Sequence, residues 1–117
     1  MENLMQTAMH NYKITMVDQI PFEFRLYQNF PQSFYKITRI GFDLPDDCKV
    51  KLLIYDVFGR EISVLVEQKL KAGSYEVKWN ALRFPPGIYY YKIIAEDFVD
   101  SKKMFLLSNN KLVDFSI

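Results

Sequence analysis

A chain of 117 residues has room for one domain around one core. Half of it is hydrophobic and 16% is aromatic, with eight Tyr and ten Phe, a composition that excludes a disordered segment. Fifteen basic residues against fourteen acidic ones, with no block of like sign, exclude the clustered basic face of a nucleic-acid binder, and a single cysteine, Cys48, excludes an internal disulfide.

Residues 1–10 carry Leu4, Met5 and Met9 at a spacing that suits one or two weak helical turns. "YKITMV" then alternates and predicts a short edge strand, and "QIP" reads as a linker. The opening "MENLMQTAMHNYKITM" lacks a basic stretch followed by an apolar one, so no signal peptide is expected. No run approaches the roughly 18 apolar residues of a membrane helix. Taken alone, such a chain is expected to stay in the cytoplasm.

From Phe22 onward the period is two. "FEFRL" alternates Phe22, Phe24 and Leu26, and "QNFPQS" is turn-like. "TRIGFDLP" alternates Thr38, Ile40, Phe42 and Leu44 until Pro45 and Asp46–Asp47 end it. "KVKLLIYD" puts Val50, Leu52 and Ile54 on one face, and Leu53 and Tyr55 make its other face apolar too, as in a central strand. "EISVLVEQKL" follows, and "KAG" reads as a hairpin turn into "SYEVKW", where Tyr75, Val77 and Trp79 oppose Glu76 and Lys78. "RFPPG" is a turn, "IYYYKIIA" a strand apolar on both faces, "EDFVD" a turn, and "SKKMFLL" a last strand. About seven strands of this length and spacing predict an all-β, Ig-like antiparallel sandwich. Trp79, Phe42, Leu52, Ile54, Tyr89 and Tyr91 are its expected inner layer.

Between two of these strands stands "DVFGR". Its length is that of a hairpin loop, in which Gly59 takes a left-handed conformation, Asp56 accepts a backbone N–H and Arg60 pairs with Asp56 or a neighbouring strand. A catalytic aspartate would need a base, a nucleophile or a metal beside it, and the sequence offers none. Cys48 reads as a partly buried strand thiol, with the single histidine, His10, far away. Asp43, Asp46 and Asp47 fit no calcium loop and read as a solvated turn. All four glycines are isolated, so no phosphate loop exists. Tyr89, Tyr90 and Tyr91 could line a ligand face, but alternating tyrosines more often divide between core and solvent. The reading is non-catalytic, without cofactor, metal or small-molecule substrate.

"IPFEFRLYQNFP", "TRIGFDLP", "VKLLIYDVFGREISVLVEQKLKAGSYEVKW" and "PGIYYYKIIAEDFVDSKKMFLL", in this order, resemble the type A C-terminal sorting domain of the bacterial type IX (Por) secretion system. That family is itself similar to the Ig-like domain of the flagellar hook-capping protein. The resemblance runs from Ile20 to about Leu107 and implies an export tag at the end of a larger secreted precursor. Its implied partners are the type IX translocon, the system's sorting peptidase and a covalently attached cargo, and its implied location is the cell surface or medium. By the same resemblance Asp56, Gly59 and Arg60 match a Tyr-Asp-x-x-Gly-Arg turn, Gly73 the next hairpin glycine and Trp79 the aromatic that closes the following strand. Gly87, Tyr89 and Tyr91 match a Gly-x-Tyr-x-aromatic strand, and Lys103 and Met104 the start of the last strand. Lys102, Lys103 and Met104 are the implied candidates for recognition by the translocon. The expected division is an extension or linker over 1–19, the sorting domain over 20–107 and a tail over 108–117. A structural or adhesive interaction module of the hook-cap kind is the alternative.

Overall fold

The computed structural model describes residues 12–15 and 20–108; the helical turns expected over 1–10, His10 and the end of the tail lie outside the described residues. Among the described residues, nine strands form two sheets. They are β1 (Tyr12–Thr15), β2 (Arg25–Leu26), β3 (Ser33–Phe34), β4 (Ile37–Leu44), β5 (Cys48–Tyr55), β6 (Glu61–Leu70), β7 (Gly73–Asn80), β8 (Gly87–Ala95) and β9 (Phe98–Leu106). One sheet has the order β1-β7-β4-β2 and the other β3-β9-β8-β5-β6. The expected sandwich is present, and its pairs are antiparallel except β3 on β9, which is parallel.

The period of two does what the alternation demands. Ile40, Phe42, Leu44, Val50, Leu52, Ile54, Val77, Tyr91 and Ile93 turn inward and are fully buried, and Trp79 and Tyr89 join them at 3% and 4% exposure. Every residue of the expected inner layer is in this cluster. Cys48 opens β5 at 2% exposure, and burial pushes its thiol pKa up.

Four local expectations need correction. "KAG" is not a hairpin turn: β6 pairs with β5 and β7 with β4, so Lys71–Ala72 carries the chain from one sheet to the other. Asp47 fixes that corner, its Oδ1 accepting the Ala72 N–H at 2.9 Å, while the Tyr75 hydroxyl donates to the Lys71 carbonyl at 2.6 Å. Asp47 does lie in a solvated turn, as expected, with its side chain 62% exposed, and serves there as a structural acceptor as well. "FEFRL" yields only the two-residue β2, because Phe22 is 97% exposed and Phe24 stacks on Phe98 instead of continuing a ladder. The "EDFVD" turn shrinks to Glu96–Asp97, since Ala95 already pairs with Phe98. "QNFPQS" is more than a turn, because its end forms β3 against the last strand. The short edge strand expected in "YKITMV" is β1, paired with β7 from Tyr12↔Val77 to Thr15↔Ser74.

Candidate functional site

The β5–β6 connection closes on itself. Gly59 N–H donates to the Asp56 carbonyl and Asp56 N–H to the Arg60 carbonyl, both at 3.0 Å. Asp56 Oδ1 accepts the N–H groups of Phe58 and Arg60 at 2.9 and 3.0 Å, and Arg60 Nε donates to Asp56 Oδ2 at 2.7 Å. Gly59 has φ +81°, a conformation that L side chains resist. Just beyond the turn the register slips between Ile54 and Tyr55, and a second slip lies between Leu52 and Leu53. Such bulges twist β6, whose outer edge is covered by no strand among the described residues. Desolvation works against ionisation of Asp56, but the hydrogen bonds from Arg60 and Phe58 outweigh it and hold the carboxyl below its ordinary pKa.

Two large apolar residues occupy the turn tip, Val57 at 58% and Phe58 at 78% exposure, with the Arg60 guanidinium 5.2 Å from the Phe58 ring centre. Opposite them runs Phe84–Pro85–Pro86–Gly87–Ile88, held by the Tyr89 hydroxyl, which donates to the Pro85 carbonyl at 2.5 Å. The two segments enclose an apolar cleft of about 300 Å3 at one end of the sandwich. Behind it Trp79 packs on Phe84 and Tyr89, each with ring centres 5.5 Å away. The fold thus brings Asp56, Arg60, Gly87 and Tyr89 to one place, with Trp79 behind them.

The other marked residues lie elsewhere. Gly73 sits at the sheet-switching corner, opposite Leu44. Tyr91 is buried, its hydroxyl donating to the Tyr27 carbonyl at 2.7 Å, and burial raises its pKa. On β9, Met104 is fully buried in the core. Lys102 lies 4.0 Å from Asp100, and exposed Lys103 holds its ammonium 5.9 Å from the Phe105 ring centre. Of the three β9 candidates, only the two lysines reach solvent.

Sequence reasoning missed the polar knot that anchors residues 27–34. Asn29 and Thr38 are 2% and 0% exposed. Asn29 Nδ2 donates to Thr38 Oγ1 and to the Pro31 carbonyl, both at 2.9 Å, and Thr38 Oγ1 donates to that carbonyl at 2.7 Å. Gln28 Nε2 donates to Asn29 Oδ1 at 2.7 Å and to the Lys103 carbonyl at 2.9 Å. Next to this knot, the Phe105 and Leu107 N–H groups donate to the Gln32 and Phe34 carbonyls at 3.1 and 2.7 Å, so β9 is clasped on both sides at its end. The cleft was missed as well. Its one trace in the sequence is the pair Val57–Phe58 at a turn tip, where polar residues are usual.

The model of the secretion system C-terminal sorting domain matches residues 30–106. The chain belongs to this family. The match begins at Phe30, whose N–H and carbonyl bridge to Arg39, and ends with β9. It therefore takes in the polar knot's Thr38, both walls of the cleft and the β9 lysines. Membership in this type IX sorting family implies dealings with that secretion machinery, an attached cargo and a destination at the cell surface or outside the cell. None of the curated proteins compared with the chain matches it.

Proposed function

We propose that this sorting domain is a non-catalytic export tag, which carries an attached cargo across the outer membrane through the type IX translocon and is then handled by the system's sorting peptidase. The observation that carries the reading is the extent of the family match, from the Phe30 bridge to the end of β9, which takes in β3 to β9, seven of the nine described strands. Residues 20–107 form the tag in this reading and 108–117 its tail. Residues 1–19 are the extension toward the cargo, and their Tyr12–Thr15 strand lies along β7. Lys102 and Lys103 are the groups offered to the translocon, because they are charged, solvent-reaching and placed on a strand whose backbone is fixed by β8 and Gln28.

The test is export. Residues 20–117 are fused behind a periplasm-targeted fluorescent reporter in a host with the type IX system, beside a fusion that ends at Leu107 and a Lys102→Ala/Lys103→Ala variant. Arrival of either unmodified fusion at the surface or in the medium is the expected result, with the double variant retained. Folded fusions that all remain in the periplasm would sink the export reading and leave the structural or adhesive module. Export of the double variant would remove the lysines from recognition.

A further inference from the structure

Among the described residues the two sheets end in four edge strands, β1, β2, β3 and β6. Three of them are short: β1 has four residues, and β2 and β3 have two each. β6 has ten, and its N–H and C=O groups on the outer side meet no strand among the described residues. A long open edge of this kind is a template for another strand. The bulges that guard it lie in only half of it. Both register slips fall between Glu61 and Val66, and from Val66↔Leu52 to Leu70↔Cys48 the ladder runs one to one. In that regular half Val66 and Leu70 are buried, so Glu67 and Lys69 stand on the outer face of the sheet. Glu67 lies 3.9 Å from Lys51. Lys69 has another lysine, Lys49, directly opposite, and neither of the two forms an ion pair among the described residues. Like charges opposite each other in a ladder repel.

We propose that the regular half of this edge, Val66–Leu70, pairs antiparallel with the same segment of a second copy of this chain, about a two-fold axis at Gln68. Backbone groups point outward from alternate residues, so a strand paired with its own copy sets one residue opposite itself. With Gln68 on the axis, Glu67 meets Lys69 of the second copy on both sides of it, and Val66 meets Leu70. Lys69 gains there the carboxylate that it lacks within one chain. The neighbouring registers are worse. An axis at Glu67 or at Lys69 sets two like charges face to face, an axis at Leu70 sets Lys69 against Lys71, and an axis at Val66 runs into the bulge before it. The two five-stranded sheets then join into one continuous sheet, and the two-fold closes the contact at two copies. A seam of five residues is short, so the pair is weak and set by concentration. The contact goes beyond the export reading and uses neither Lys102 nor Lys103.

Sedimentation of the full chain up to millimolar concentration tests the pairing. The expected result is a monomer that passes to a dimer and to nothing larger. Glu67→Lys sets lysine against lysine across the axis, and Lys69→Glu sets carboxylate against carboxylate. Each should weaken self-association about tenfold or more. Mixed in equal amounts, the two variants should associate again, because each supplies the charge that the other lacks. A merely structural effect of either substitution would not be rescued in this way. Amide exchange of the parent should slow with rising concentration within Val66–Leu70 and stay unchanged along β1 and β3. A chain that stays monomeric throughout, a dimer that either single variant leaves intact, or a mixture that associates no more tightly than the variants alone would overturn the proposal. Slowed exchange centred on another strand, or species larger than a dimer, would overturn it too. None of these readings depends on secretion, so their failure is separable from a failure of export.

Discussion

The Asp56–Arg60 turn and the Tyr27–Phe34 segment both hold irregular backbone in a fixed shape, and they do it by opposite means. In the turn, no hydrogen bond among the described residues joins groups more than four residues apart. In the segment, Gln28 reaches the Lys103 carbonyl across 75 residues, Tyr91 reaches the Tyr27 carbonyl across 64, and Asn29 meets Thr38 across nine. A loop closed by its own neighbours pays little chain entropy and can form early. A segment tied to distant strands exists only once those strands are in place. The turn is therefore a local device at the mouth of a cleft, and the segment is a clasp that binds the last strand to the first part of the match.

Trp79 touches both regions, and its removal should have the largest effect. Its ring meets Phe34 at the end of the clasp, with centres 6.0 Å apart, and Phe84 and Tyr89 behind the cleft. Trp79→Ala should cost about 3–5 kcal/mol in urea unfolding. A loss of less than about 1 kcal/mol would show that the two regions do not share a core. Next comes Asn29→Ala, which takes a partner from the buried Thr38 hydroxyl and from the exposed Gln28 amide and should cost about 2 kcal/mol. Its effect should also travel: amide exchange should quicken at Phe105 and Leu107, far away in sequence but bonded to the clasp. Gly59→Val should cost less, about 1–2 kcal/mol, and purely through conformation, because nothing lies within 4 Å of a Cβ built there. Exchange should quicken within the turn and leave Phe105 and Leu107 unchanged. A Gly59→Val effect that reached β9 would erase the distinction between the two regions.

The same difference decides what could be read in advance. The turn was legible because its Asp, Gly and Arg lie within five consecutive residues, and their chemistry requires no knowledge of the rest of the chain. The sandwich was legible because alternation fixes which side of each strand is buried, down to Trp79, Tyr89 and Tyr91. The clasp was not, since Asn29 and Thr38 look like ordinary turn and strand residues until the fold places them against Pro31. The "KAG" corner failed for a related reason. Two residues between strands suit a hairpin and a sheet switch equally, and the choice rests on the remote acceptor Asp47 and on what β7 pairs with. Of the marked site residues, those that meet at the cleft come from segments about 25 residues apart in sequence, and no local pattern announces that meeting.

The smallest effect is also the cleanest discriminator, because only one of the two regions contains a carboxylate at its centre. Folding holds the Asp56 carboxyl below its ordinary pKa. A depressed carboxyl contributes stability that is fully present above the unfolded value, about 3.9, and is lost as pH falls through the lower folded value. Asp56→Asn removes that contribution and the ion pair with Arg60 together, so stability should drop slightly near neutrality and the acid limb of the stability curve should flatten relative to the parent. Asn29→Ala removes no titrating group, so its loss should be the same at pH 3 as at pH 7, to within about 0.5 kcal/mol. Unfolding curves of the parent and both variants across that range would separate the two cases. An unchanged acid limb in Asp56→Asn would mean that the turn is held by its backbone bonds and Gly59 alone, with the Asp56 charge contributing nothing to closure.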